Sequence, residues 1–377
     1  MKLLAIFISL NFIFSQDCND GRYTEELFNV SIQHDIEYGE NINQDIFDSD
    51  YTQTLYMDVY EPEGDEFADR PLIIFMFGGS FIAGSKSSNN IVNLCLNYAS
   101  RGYVAVAIDY RLTTNLILNA SESKAYEAVI KAIQDLKASV RYFRMDDELY
   151  DNFRIDSDRI YAGGVSAGAI ASLNSAYLNT EEEALTLITS SQLESLGGLE
   201  GNSGTPGYNS EVYGIVNLCG AIGDYNWISQ PDVPIVSMHG DQDSTVPYSD
   251  NSVTLFGLDV QVYGSYIIHE TMLELGNYSA LHTYEGQGHV PFTSNMDFES
   301  EFSSEFLYEI VCNNSNLVIG DINQDDTINV LDVIILVNFI LGSEVPNSDE
   351  SFVSDINGDQ VINVLDAIML VNLILDI

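Results

Sequence analysis

Between Thr54 and Ile160 short apolar runs alternate with amphipathic stretches: Leu55–Tyr60, Pro71–Phe77 and Val104–Asp109 read as strands, and Ser123–Phe143 reads as a helix. The rhythm resumes with Arg159–Gly163, Gly214–Cys219, Pro234–His239 and Ala280–Tyr284, each a short buried-strand candidate ending near glycine or polar residues. Near-continuous apolar strands separated by helices imply an α/β fold, a mostly parallel sheet covered by helices on both faces. In such a sheet ligands bind beyond the carboxyl ends of the strands, so functional residues are expected in the loops that follow them. The stretch Glu181–Glu211 breaks the pattern, acidic first and then rich in Gly, Ser and Asn around Gly197–Ser210. It reads as an insertion, either a lid or pocket wall or a solvated loop.

A second pattern begins after Cys312. Asn313-Asn314-Ser315-Asn316 reads as a linker, and no Lys or Arg follows it. The string GDINQDDTINVLD, from Gly320 to Asp332, is echoed by SDINGDQVINVLD, from Ser354 to Asp366. This is an internal repeat. Each copy runs into an unusually apolar stretch, Val330–Leu341 and Val364–Leu375, expected to form helices that pack on each other or on a partner. A chain of 377 residues exceeds the roughly 250 to 300 at which single cores stop growing. The expected division is a leader at 1–15, a large domain at 16–312, a linker at 313–319 and a small all-α domain at 320–377.

Composition narrows the classes of partner. With 13 Lys+Arg against 57 Asp+Glu the formal net charge is −44, which repels nucleic acid and anionic membranes. The apolar fraction of 46% is ordinary for a globular protein, and the many aromatic and β-branched residues argue against disorder. Met1-Lys2, an apolar run from Leu3 to Phe14 and then Ser15-Gln16-Asp17 form the basic, hydrophobic and small/polar series of a signal peptide. The run is too short for a membrane-spanning helix of roughly 20 residues, so the mature protein is expected outside the cytoplasm, with no membrane span. The four cysteines, Cys18, Cys95, Cys219 and Cys312, are compatible with two disulfides in any of three connectivities and also with buried thiols. Their wide spacing carries no C-x-x-C motif.

Candidate chemistry centres on Gly164-Val165-Ser166-Ala167-Gly168, which follows the strand candidate Arg159–Gly163 and precedes the helical stretch Ala169–Leu178. A sharp strand-to-helix turn lifts a serine oxygen off the sheet, and small neighbours are required because the backbone crowds there. The backbone N–H of Ala167 at the helix N-terminus suits an oxyanion. A serine hydroxyl is a weak nucleophile until a base takes its proton, so a carboxylate and a histidine are expected downstream in that order. Of the five histidines, His289 lies in the flexible loop Gly286-Gln287-Gly288-His289 after the last strand. His282 lies within that strand and reads as packed, His239 at a strand end reads as structural, and His34 and His269 have no motif around them. In His239-Gly240-Asp241-Gln242-Asp243 the preferred carboxylate is Asp243, with Asp241 as a competitor or turn former. A second oxyanion donor is expected from Gly79 or Ser80 in Phe77-Gly78-Gly79-Ser80, where glycine lets backbone N–H groups approach a reacting carbonyl.

These residues, with MDVYEPEG from Met57 to Gly64, FGGSF from Phe77 to Phe81, Asp109-Tyr110-Arg111-Leu112, Asp158-Arg159-Ile160-Tyr161, HGDQDSTVP and GQGH, span most of the first domain. Together they resemble the secreted carboxylesterases of the α/β-hydrolase fold related to hormone-sensitive lipase and to feruloyl and acetyl-xylan esterases. The resemblance implies that Ser166 attacks an ester carbonyl with His289 as general base and Asp243 as its orienting acid, and that the chemistry needs no cofactor. The family's His-Gly-Gly-Gly stands here as Phe77-Gly78-Gly79-Ser80, which bears on the oxyanion loop and on substrate choice. Phe77, Tyr225 and Trp227 are candidate substrate contacts, with core or surface packing as the alternative for the last two. A serine peptidase of prolyl-peptidase type shares the triad order but has upstream propeller repeats that this chain lacks. An inactive binding protein on the same fold is the other alternative, and Phe77 is its main support.

In the tail, oxygen-bearing side chains fall at loop positions one, three, five, nine and twelve: Asp321, Asn323, Asp325, Asn329 and Asp332, then Asp355, Asn357, Asp359, Asn363 and Asp366. That register wraps a chain around one calcium ion, with the carbonyl of Thr327 or Val361 at position seven. The module resembles a dockerin, which implies structural calcium and a cohesin-bearing scaffold as partner. The sixth position, commonly glycine, is Asp326 or Gln360. A calcium-stapled cap without a partner is the alternative, and a dockerin-like tail directs the expected ester substrate toward polysaccharide decorations.

Overall fold

A computed structural model of the chain describes residue 18 and residues 21–255, 258–312, 319–323, 327–343, 345–346, 348–357 and 361–375. The expected leader at 1–15 and residues 313–318 of the expected linker lie outside the described residues. The strands in chain order are β1 (Val30–Gln44), β2 (Asp50–Pro62), β3 (Arg70–Met76), β4 (Val104–Ile108), β5 (Ile155–Val165) and β6 (Ile215–Leu218). They continue with β7 (Ala221–Ile222), β8 (Ile235–Gly240), β9 (Asp250–Leu255), β10 (Leu258–Gly264) and β11 (Ser279–Tyr284). The helices are α1 (Asn89–Ser100), α2 (Glu122–Leu149), α3 (Ala167–Tyr177), α4 (Glu181–Ala184), α5 (Ser190–Leu196), α6 (Ser265–Glu274) and α7 (Asp297–Cys312). Beyond them lie α8 (Val330–Ile340), α9 (Ser348–Ser354) and α10 (Val364–Leu375).

The main sheet has eight strands in the order β1-β2-β4-β3-β5-β6-β8-β11. From β4 to β11 neighbouring strands are parallel, while β2 runs antiparallel to both β4 and β1. β3 and β4 are buried along their whole length, which is why their sequences show no polar alternation. The step from β3 to β4 goes one way along the sheet and the step from β4 to β5 returns past β3. Right-handed crossovers therefore put α1 and α2 on opposite faces. α1 packs with α7, and α2 packs with α3. The reversal of strand order opens a crevice at the carboxyl ends of β3 and β5.

Two elements were not expected from the pattern. β1 is a mostly exposed edge strand. It is fixed by the Tyr38 hydroxyl donating to the Asp109 carbonyl (2.7 Å) and by Arg111 donating to the Ile42 carbonyl (3.0 Å). The strands β7, β10 and β9 form a separate three-stranded antiparallel sheet. The Asp109–Leu112 motif owes its place to Arg111, whose buried guanidinium and backbone N–H both bond Asp135 on α2. The Glu181–Glu211 insertion is not a free loop, and its residues Glu200 and Tyr208 to Glu211 help line a surface cavity. It folds into α4 and α5 and straps onto α2, where Gln134 donates to the carbonyls of Leu196 and Gly198, and Arg141 bonds Glu200. Instead of two disulfides there is one, Cys18–Cys312, across 294 positions of sequence, while Cys95 and Cys219 are buried free thiols.

The C-terminal repeats build their own small core of Ile322, Leu336, Val353, Ile356 and Leu370, and α8 packs on α10. Among the described residues no helix is long and apolar enough to cross a membrane.

Candidate active site

Ser166 stands between β5 and α3 with φ 56° and ψ −117°, a strained backbone held by its N–H donating to the Leu218 carbonyl (2.8 Å). The glycines around it are required by close approach. A Cβ on Gly168 would lie 2.1 Å from the Met76 carbonyl oxygen, and one on Gly164 would lie 2.5 Å from the Gly168 carbonyl carbon. Gly78 brings the loop after β3 against the same turn, 3.2 Å from the Ser166 Cβ to a Cβ built on it. Gly79 has φ 131° and Ser80 has φ 53°, so the loop doubles back beside the N-terminus of α3, whose first residue is Ala167.

His289 Nε2 lies 2.9 Å from Ser166 Oγ, and its Nδ1 lies 2.6 Å from Asp243 Oδ2. Nδ1 faces a carboxylate and so carries the hydrogen, which leaves Nε2 to accept from the serine hydroxyl. The Asp243 side chain is fully buried, and its Oδ1 accepts the N–H groups of Thr245 (2.8 Å) and Val246 (3.1 Å). Burial pushes the Asp243 carboxyl up, but bonds from His239, His289 and Thr245 outweigh it and hold the group well below the usual carboxylate range. Asp241 is placed differently: its Oδ1 accepts the Gly286 N–H (2.7 Å) and tethers the histidine loop. The far end of that loop is held by buried Glu299, which accepts from the Thr293 N–H (3.0 Å) and hydroxyl (2.6 Å). Nothing in the sequence around Glu299 signals this role.

His282 packs edge-on against Tyr284 and Phe298, and His269 is buried beside Ser279. His34 bonds Asp58 near the β1 edge. His239 is buried behind Asp243, with its Nε2 3.1 Å from Oδ2.

The three candidate substrate contacts fare differently. Phe77 is 1% exposed, stacked on Tyr110 at 4.2 Å, with its carbonyl accepting the Tyr110 hydroxyl, so it is a core residue and presents no face to a ligand. Trp227 is 6% exposed and packs against Gly223. Tyr225 is 37% exposed and meets Tyr263 edge-on.

In the tail, Asp332 and Asp366 are fully buried, one in each repeat. Asp332 accepts the N–H groups of Ile322, Asn323 and Asn329, and Asp366 those of Asn357 and Asn363. These bonds tie the described ends of each loop together, residues 322 and 323 to Asp332 and residue 357 to Asp366. Asp325, Asp326, Asp359 and Gln360 lie outside the described residues. Buried carboxylates in a tail without any Lys or Arg fit a hard cation held by oxygen ligands. The outer faces of α8 and α10 leave the paired positions Val330 and Val364, Leu331 and Leu365, and Ile334 and Ile368 exposed.

Residues 57–223 match the BD-FAE family model, and residues 319–375 match the Dockerin type I domain. No curated protein matches the chain. Among solved structures, esterase 2 of Thermogutta terrifontis is similar in fold, both in its apo form and phosphorylated by paraoxon. Each comparison gives 21% identity over 77% of this chain and 97% of that one, with a TM-score of 0.50. The chain thus joins a BD-FAE esterase domain, of α/β-hydrolase fold, to a Dockerin type I domain.

Proposed function

We propose that the chain hydrolyses carboxylic esters with Ser166 as nucleophile, His289 as general base and acid, and Asp243 as the orienting carboxylate. The observation that carries this reading is the unbroken run from Ser166 Oγ through His289 to Asp243 Oδ2, at 2.9 and 2.6 Å, on a strained strand-to-helix turn. His289 Nε2 takes the hydroxyl proton as Oγ bonds the carbonyl carbon. The carbonyl oxygen becomes an oxyanion facing the N–H groups of Ala167 and of Gly79 or Ser80. His289 then returns the proton to the leaving alcohol as the ester C–O bond breaks, and the same base activates the water that releases the acid. The buried Asp243 keeps Nδ1 protonated and favours the imidazolium that forms.

The reading extends to a secreted enzyme acting on acetyl or feruloyl esters of polysaccharides, supported by the dockerin-type tail and the leader-like N-terminus. In that tail Asp321, Asn323, Asp325, Thr327, Asn329 and Asp332, and their counterparts from Asp355 to Asp366, would hold one calcium each. The ion would cross-link each loop, and the exposed apolar faces of α8 and α10 would meet a cohesin-like scaffold.

The test is hydrolysis of aryl acetate and butyrate, methyl ferulate and acetylated xylan by wild type and Ser166→Ala, with calcium present. Wild-type turnover that vanishes in the variant, and that paraoxon abolishes in wild type, supports the reading. Equal rates in both proteins would sink it.

A further inference from the structure

His239 is part of neither the esterase reading nor the calcium module, yet it is buried between the carboxylate Asp243 and a chain of polar groups reaching back into the sheet. Its Nε2 meets two acceptors, Asp243 Oδ2 and the Val246 carbonyl oxygen, each at 3.1 Å. A nitrogen facing two acceptors must carry the hydrogen. Its Nδ1 lies 2.7 Å from Ser265 Oγ, and that oxygen already accepts from Asn217 Nδ2 at 2.8 Å. The serine hydrogen is therefore free to be donated to Nδ1, and the tautomer is set by groups on β6 and α6.

Oδ2 of Asp243 thus accepts two imidazole N–H groups, one from His289 on the catalytic side and one from His239 behind it. We propose that His239 is a positioning residue for the triad: held by Asn217 and Ser265, it fixes the Asp243 carboxylate and draws part of its charge away from His289. This rests on the triad reading above. An N–H aimed at a carboxylate spreads its charge. Without that donor more charge faces His289 Nδ1, the imidazolium is favoured, and the base takes a proton at higher pH. Among the described residues, titratable groups near the pair are Cys219, just after β6, which faces Asp243, and Tyr248 after β8, which has Asp241 and, on α6, Tyr266 and Glu270 around it; Tyr284 on β11 faces Cys219. The Tyr248 ring lies edge-on to His239 at 5.7 Å.

The experiment compares wild type with His239→Leu, His239→Gln and Ser265→Ala by ester turnover across pH. In parallel, the His289 imidazole is titrated by NMR in histidine-labelled protein, assigned against His289→Gln. His239→Leu is expected to lower kcat about tenfold with KM little changed, and to raise both the acidic limb of kcat/KM and the His289 titration by up to about one pH unit. His239→Gln, whose amide N–H reaches a similar place, is expected to restore the wild-type limb, which a loss of packing alone would not do. A folded His239→Leu protein with an unmoved limb and titration overturns the proposal, as does His239→Gln behaving like His239→Leu. If His239→Leu does not fold, Ser265→Ala decides: a smaller upward shift supports the role and none overturns it. Should wild type hydrolyse no ester, the esterase reading fails while the NMR titration still tests the link from His239 to His289.

Discussion

Gly168 is the residue whose replacement tests the geometry most directly. A Cβ built there lies 2.1 Å from the Met76 carbonyl oxygen, 2.5 Å from its carbon and 2.7 Å from the Phe77 carbonyl oxygen. All three are backbone atoms at the end of β3, so no side chain can rotate away. Ordinary contact returns only if the start of α3 or the end of β3 moves by about 1 Å. That overpacking costs about 1 to 3 kcal/mol, which a domain stable by roughly 5 to 15 kcal/mol survives folded. The displaced segment carries Ser166 and the Ala167 N–H, and a misplacement of about 1 Å lowers turnover about 100-fold. Gly168→Ala should therefore unfold a few degrees lower and lose about two orders of magnitude in kcat/KM on an aryl acetate. Gly207→Ala is the control. Gly207 has φ 95° with nothing near the added methyl, so it should cost stability alone. If Gly168→Ala keeps kcat/KM within about threefold of wild type, the close packing of α3 on β3 does not position Ser166 for the proposed attack.

Burial holds the His269 imidazole down at about 4, so its folded value lies below the unfolded one near 6.5. The stability it contributes is fully present above about pH 6.5 and is lost as pH falls toward 4, up to about 3 kcal/mol; urea midpoints against pH should flatten in His269→Gln. Without reductant the unfolded protein should titrate two thiols, Cys95 and Cys219, because Cys18 and Cys312 are bonded. Reducing that disulfide opens a loop of 294 positions and should lower stability by up to about 5 kcal/mol, read as a fall in Tm. Chelating calcium should cut helical circular dichroism from α8 and α10 and expose them to protease, leaving ester turnover of the first domain unchanged. Unaltered dichroism would contradict the calcium reading.

Legibility followed the kind of constraint each residue obeys. The parallel strands were visible because burial on both faces leaves uninterrupted apolar runs, as in β3 and β4. β1 was missed because an exposed edge strand carries mixed residues with no such signature, and the β7-β10-β9 sheet because β7 is two residues long and β10 alternates buried and exposed positions instead of running apolar. The same logic left Phe77 among the candidate substrate contacts, while for Trp227 the alternative of core packing is the one the structure shows. An aromatic near a functional loop looks alike whether it lines a cleft or fills the core, and for Phe77 only Tyr110, distant in sequence, decides between them.

Within the site, the turn at Ser166 was readable because a strained backbone pressed against β3 demands small residues at fixed spacing, and that demand is written locally. Asp241 and Asp243 offer the same carboxylate two positions apart, yet one meets the Gly286 N–H and the other meets two imidazoles. What separates them is contact across the fold. His239 carries this furthest: its tautomer depends on Ser265 from α6 and Asn217 from β6, neither near it in sequence. Local strain leaves a motif in the chain. A hydrogen-bond chain assembled from three elements leaves none, and its chemistry becomes visible only once the sheet and its crossovers have brought the members together.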